Sequence, residues 1–99
     1  MARFDAWPNP EGPGWLLEVQ ADLLRDLNTR VVVPLMQPHE APRPAARLNP
    51  VLTVAGEPMV MVTQFLSAVP ASLLRGGPVT LAGEAVVIGN ALDLLLTGV

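Results

Sequence analysis

Ninety-nine residues make a single domain spanning 1–99, and only 15% of them are charged, against roughly 25% in an ordinary globular chain, while 51% are apolar. A folded monomer of this mass exposes roughly 5,400 Å², so each charged side chain would serve about 360 Å²; so sparse a surface predicts burial of apolar area against a partner, hence an oligomer. Six Arg and no Lys against nine acids give a net charge of −3, which disfavours nucleic-acid binding; the absence of Cys and Lys excludes disulfides, thiolate nucleophiles, Cys-ligated zinc, a phosphate-loop lysine and Schiff-base chemistry.

Residues Met1 to Asp5 hold no apolar stretch of the signal-peptide kind behind Arg3. Short apolar runs of strand length follow along the chain: Met1 to Trp7, Trp15 to Val19, Arg30 to Leu35, Val51 to Ala55 and Met59 to Thr63. Val dominates three of them, as suits a pleated surface. Asn9-Pro10-Glu11-Gly12-Pro13-Gly14 predicts the turn of a first hairpin, and Ala55-Gly56-Glu57-Pro58 that of a second. The Pro residues cluster at 8, 10 and 13 and again at 34, 38, 42, 44 and 50, and both clusters read as loops because Pro fixes φ and lacks an N–H. Sequential strands without intervening helices favour an antiparallel barrel or sandwich.

The last segment changes period. Ala85, Ile88, Leu92, Leu95 and Val99 recur at helical spacing, with Ala91 and Leu94 widening the stripe. A helix from Glu84 to Leu96 is predicted, about 20 Å long. Its apolar residues cover most of the circumference, so it is expected to be buried on more than one side or paired with a second copy of the chain. Ala85 to Leu96 is the most apolar tract and is shorter than the ~20 residues of a membrane span, so a cytoplasmic protein with no membrane contact is expected. Of the charged residues only Glu57, Arg75, Glu84 and Asp93 follow Asn49, which places the core and the interface in the second half.

Few residues carry chemistry. His39 stands alone in a Pro-rich stretch and reads as a solvent-facing loop residue, with no metal or cofactor expected. Glu18, Asp22 and Asp26 at four-residue spacing read as a solvated face if a helical turn spans them. Ser67 and Ser72 lack the context of a hydrolase nucleophile. Trp7 and Trp15 read as a cross-strand pair, and Met36, Met59 and Met61 as core filling. These residues describe an interaction module, not an enzyme.

Three stretches together resemble the CcdB toxin family of bacterial toxin–antitoxin systems. They are Val19-Gln20-Ala21-Asp22-Leu23-Leu24 with Arg30-Val31-Val32-Val33-Pro34-Leu35; Asn49-Pro50-Val51 with Val60-Met61-Val62-Thr63 and Ser67-Ala68-Val69-Pro70-Ala71-Ser72; and the terminal helix with Asn90-Ala91 and Gly98-Val99. The resemblance implies a mainly β fold, an SH3-like antiparallel barrel of the CcdB/MazF type with a C-terminal helix. It also implies a homodimer, an antitoxin whose disordered C-terminal tail neutralises it, and poisoning of DNA gyrase, a topoisomerase, through the A subunit. By the same resemblance the target-facing residues are Leu23 and Leu24 together with Asp93, Thr97, Gly98 and Val99. The family closes on Trp-Gly-aliphatic, where this chain has Thr97-Gly98-Val99. Two alternatives stay open: a protein of this fold with another target or none, and an endoribonuclease of the MazF kind, for which Arg25, Arg30, Arg43, Arg47 and Arg75 would have to supply the phosphate contacts.

Overall fold

The computed structural model describes residues 2–99. Seven strands, β1 (Asp5–Pro8), β2 (Trp15–Glu18), β3 (Thr29–Met36), β4 (Val51–Val54), β5 (Glu57–Met61), β6 (Ser67–Pro70) and β7 (Val79–Thr80), precede one helix, α1 (Ala85–Thr97). All pairings are antiparallel, in the order β4-β5-β3-β2-β1-β7, with β6 also pairing β3. The sheet rolls into a nearly closed barrel with the helix packed on it, the mainly β architecture expected from the sequence.

β3 organises the sheet. One edge takes β2 along Glu18↔Val32 to Trp15↔Leu35. The other edge is shared: β6 takes Thr29 to Val32, and β5 takes Leu35 and Met36. Pro34 lies inside β3, contrary to its assignment to a loop. Its carbonyl accepts from Val62 N at 3.0 Å, so its nitrogen faces the break between β5 and β6, where the ladder asks for no N–H.

The turns follow local chemistry. In the first hairpin Asn9 N donates to Gly14 O at 3.1 Å and the Asn9 side chain accepts from Glu11 N at 3.0 Å. Gly14 has φ +95°, and a Cβ there would run into the carbonyl of Leu35, so only glycine fits. The second hairpin turns on two residues, Ala55 (φ 51°) and Gly56 (φ 83°), the pair of positive angles that matches strand twist. Glu57 and Pro58, expected in that turn, belong to β5.

Alternation sorts the side chains onto two faces. Ala6, Leu17, Val33 and Leu35 join Leu52, Val54, Met59 and Met61 in the main core, closed by Ile88, Ala91 and Leu92 of α1. On the other face Trp7, Val32 and Leu74 form a smaller cluster with Leu16 and Val69. The core thus draws on both halves of the chain, not mainly on the second. Trp7 lies opposite Leu16 and Trp15 opposite Pro8, which puts the two indoles on different faces; they are not a pair. Met59 and Met61 are buried as expected, and Met36 partly so.

The N-terminal strand starts later than the apolar run suggested: residues 2–4 form a turn closed by Asp5 N to Ala2 O at 3.0 Å, with Phe4 at φ 73°. Met1, assigned to that run, lies outside the described residues. The run Met59 to Thr63 ends as a strand at Met61, and Thr63–Phe65 is a 3₁₀ turn. α1 ends on Gly98 in the left-handed conformation, whose N–H reaches Asp93 O and Leu94 O, each at 3.1 Å. The whole surface measures 5604 Å², close to the value its mass implies.

Candidate target-binding site

The chain leaving β2 passes through a 3₁₀ turn at Asp22–Leu24 before it enters β3, and this turn sits beside the C-terminal half of α1. Between them lies an open groove of about 440 Å³. Leu24, Leu66, Leu92 and Leu96 supply apolar wall, Val19 and Val31 the floor, and Arg3 and Asp93 the two charges. Leu24 and Leu96 are 47% and 68% exposed, a large unsatisfied apolar area for so small a domain.

The expected site residues fall as follows. Leu24 and Asp93 meet on this groove. Leu23 does not line it; 91% exposed, it lines a second depression with Asp22, Arg25 and Asp26. Thr97, Gly98 and Val99 cluster at the end of α1, all exposed. The Thr97 hydroxyl donates to Asp93 O at 2.7 Å, so it is spent on its own helix. Asp93 lies in the last turns of α1, where the carbonyl ends already bear partial negative charge, and no basic residue occupies the last turn to balance it. Among the described residues its carboxylate makes no ion pair.

Beneath the 21–28 segment is a buried polar cluster that the sequence did not disclose. Glu18 and Arg30 are paired at 3.5 Å, with side chains only 4% and 6% exposed. Trp7 Nε1 donates to Glu18 at 3.3 Å. The Arg30 guanidinium also donates to the carbonyls of Arg25, Leu27 and Thr29, the last at 2.9 Å. Burial pushes the Glu18 carboxyl above its ordinary 4.5, opposed by the Trp7 hydrogen bond and the Arg30 charge. The carboxylate row Glu18, Asp22 and Asp26 is therefore no solvated helical face: Glu18 is a buried strand residue, and Asp22 accepts from Arg3 N at 2.8 Å. His39 is exposed and 3.6 Å from Glu40, as a loop histidine should be. No group of three metal-ligating side chains occurs among the described residues.

Gln20, Arg30, Arg3 and Leu96 have parts here that sequence reasoning did not give them: Gln20, Arg3 and Leu96 line the groove and Arg30 pairs with Glu18 beneath the 21–28 segment. The first two do stand inside the motifs quoted above, as the Gln of Val19-Gln20-Ala21-Asp22 and the Arg opening Arg30-Val31-Val32-Val33-Pro34, and that was their only signal. No described helix is long and apolar enough to cross a membrane.

No curated protein matched the chain in a sequence comparison. A model of the CcdB protein family matches residues 3–98, nearly the whole length, and therefore spans the barrel, the 3₁₀ turn and the helix together. With that match over the same elements that build the groove, the chain belongs to the CcdB family, the toxins of toxin–antitoxin pairs.

Proposed function

We propose that the protein poisons DNA gyrase by binding its A subunit as a homodimer, and that an antitoxin with a disordered tail neutralises it. The observation that carries this reading is the meeting of Leu24, Leu96 and Asp93 on one groove, with Leu23 and Val99 exposed near it. Such a surface suits binding: its one carboxylate, Asp93, has no Ser, Cys or His beside it in the lining, and on this reading the protein acts by occupancy. Val86, 76% exposed on α1, the helix that also carries Leu96, supplies the apolar area for a second copy. The antitoxin tail orders on the toxin as it binds.

Thr97 replaces an aromatic ring where a stacked arginine of the target would add ~0.5 to 2 kcal/mol per contact. Asp93, set one helical turn before it and without an ion pair among the described residues, is the group that takes the target arginine instead. A supercoiling and DNA-cleavage assay with matched gyrase tests this: Asp93→Asn should weaken inhibition about tenfold, the loss of one charge-assisted contact. Unchanged inhibition would remove Asp93 from the site.

The same threonine favours one second reading, a toxin of this fold directed at another protein. Growth arrest without gyrase cleavage complexes would establish it. The ribonuclease alternative fares worse, because Arg30 is buried against Glu18 and backbone carbonyls and is not offered to a phosphate.

A further inference from the structure

The segment 21–28 carries the most exposed large apolar side chain of the described residues, Leu23, yet it is not held by apolar burial: residues 21 to 29 are all exposed. A segment with so little packing should fray. What it has instead is a set of polar ties from below. Within the turn, Leu24 N donates to Ala21 O (2.9 Å), Arg25 N to Asp22 O (3.1 Å) and Leu27 N to Leu24 O (3.0 Å). Gln20 is buried, 8% exposed, and its carboxamide is fully engaged: Nε2 donates to Leu24 O at 3.1 Å and Thr29 O at 3.3 Å, and Oε1 accepts from Val31 N at 3.1 Å. The Val31 amide fixes which end of the carboxamide is oxygen, so both N–H groups must face the two carbonyls.

We infer that Gln20 is a positioning residue that presets the 21–28 turn, so that Leu23 and Leu24 meet the target already in their bound arrangement. One side chain clasps the turn near its apex, at Leu24, and at its exit, at Thr29 and Val31. Arg30 reinforces the clasp through the carbonyls of Arg25 and Leu27. A hydrophobic knob on a loose loop must be ordered when it binds, and only the ordered fraction is competent. Gln20 raises that fraction without touching the partner. The inference rests on the target reading proposed above for Leu23 and Leu24.

Two measurements on the full-length protein decide it. In wild-type protein, amide exchange at Leu24, Arg25 and Leu27 should be slower than in an unstructured chain. In Gln20→Met, which keeps the volume and removes the ties, and in Gln20→Glu, which sets an oxygen against two carbonyls, those amides should exchange tenfold or more faster, the scale of two or three lost hydrogen bonds. The core amide of Met61, bonded to Pro50 O at 2.9 Å, is the internal reference and should keep its rate. Affinity for purified gyrase A subunit should fall severalfold in the same variants, as the closed turn becomes a minority state. Free-chain exchange of the turn in the wild type, unchanged turn exchange in the variants, or a loosened turn with unchanged affinity would each overturn the inference. Failure of wild-type protein to bind the A subunit, or of Leu23→Ala to weaken binding, would overturn the target reading and with it the affinity half; the exchange rates alone still decide whether Gln20 holds the turn.

Discussion

Arg30→Met tests the buried cluster under the 21–28 segment. The substitution keeps a long apolar stem and removes a cation whose side chain is 6% exposed, leaving Glu18, 4% exposed, with Trp7 as its remaining side-chain donor. Stripping one partner from a buried pair costs about 3 to 5 kcal/mol, a large part of the 5 to 15 kcal/mol that typically separates folded from unfolded domains. The loss must depend on pH. Glu18 already titrates above 4.5 because burial disfavours its charge, so its contribution is most favourable below 4.5 and is lost as pH rises through its folded value. Removing Arg30 raises that folded value further, and each added unit costs about 1.4 kcal/mol once the group is ionised. Urea unfolding at a series of pH values should therefore show wild type and variant closest near pH 4, where the residual gap is the lost carbonyl contacts, and furthest apart near pH 7. A gap that is constant between those values would refute the assignment of Glu18 as the group that Arg30 compensates.

Other predictions address the fold and the helix surface. Gly14→Ala forces a Cβ at φ +95° toward the Leu35 carbonyl and should destabilise by about 2 to 3 kcal/mol in the same unfolding assay. Ile88→Ala removes a fully buried side chain and should cost about 2 to 5 kcal/mol. Val86→Ala, on the exposed side of the same helix, should change monomer stability by less than about 0.5 kcal/mol yet shift the monomer–dimer balance in sedimentation toward monomer. An unaltered dimer would place the self-association surface elsewhere.

The terminal helix was legible because its apolar residues repeat at 3.6-residue spacing, and its observed span, Ala85–Thr97, lies one residue from the predicted one. Strands β6 and β7 were not. Ser67–Pro70 is exposed or half-exposed throughout, and Val79–Thr80 is too short to display a period, so neither carries the alternation that marks a half-buried strand. Pro34 was misplaced for the opposite reason: the rule against proline in a central strand is a rule about a missing donor, and the break between β5 and β6 supplies a position that needs none. The regular spacing of Glu18, Asp22 and Asp26 was uninformative because a strand, a 3₁₀ turn and a loop separate three residues that a helix would have aligned. At the site, Leu24 and Asp93 became neighbours only through tertiary contact, and Arg3 reaches the groove from a turn whose left-handed Phe4 has no sequence signature.

β1 has β2 on one edge and the two-residue β7 on the other, where Asp5 pairs with Thr80 and Ala6 with Val79. During synthesis the first of these neighbours is available almost at once, but the second emerges only when most of the chain has been made. Until then one side of β1 is an open row of amides and carbonyls, the kind of edge that recruits other chains. Helix α1 follows β7 after the short 81–84 turn, so the residues that cover that edge and those that lie over the core, Ile88, Ala91 and Leu92, leave the ribosome in quick succession. The helix-borne wall of the groove, Leu92, Asp93 and Leu96, therefore emerges only after the strand that covers this edge of β1 has been made.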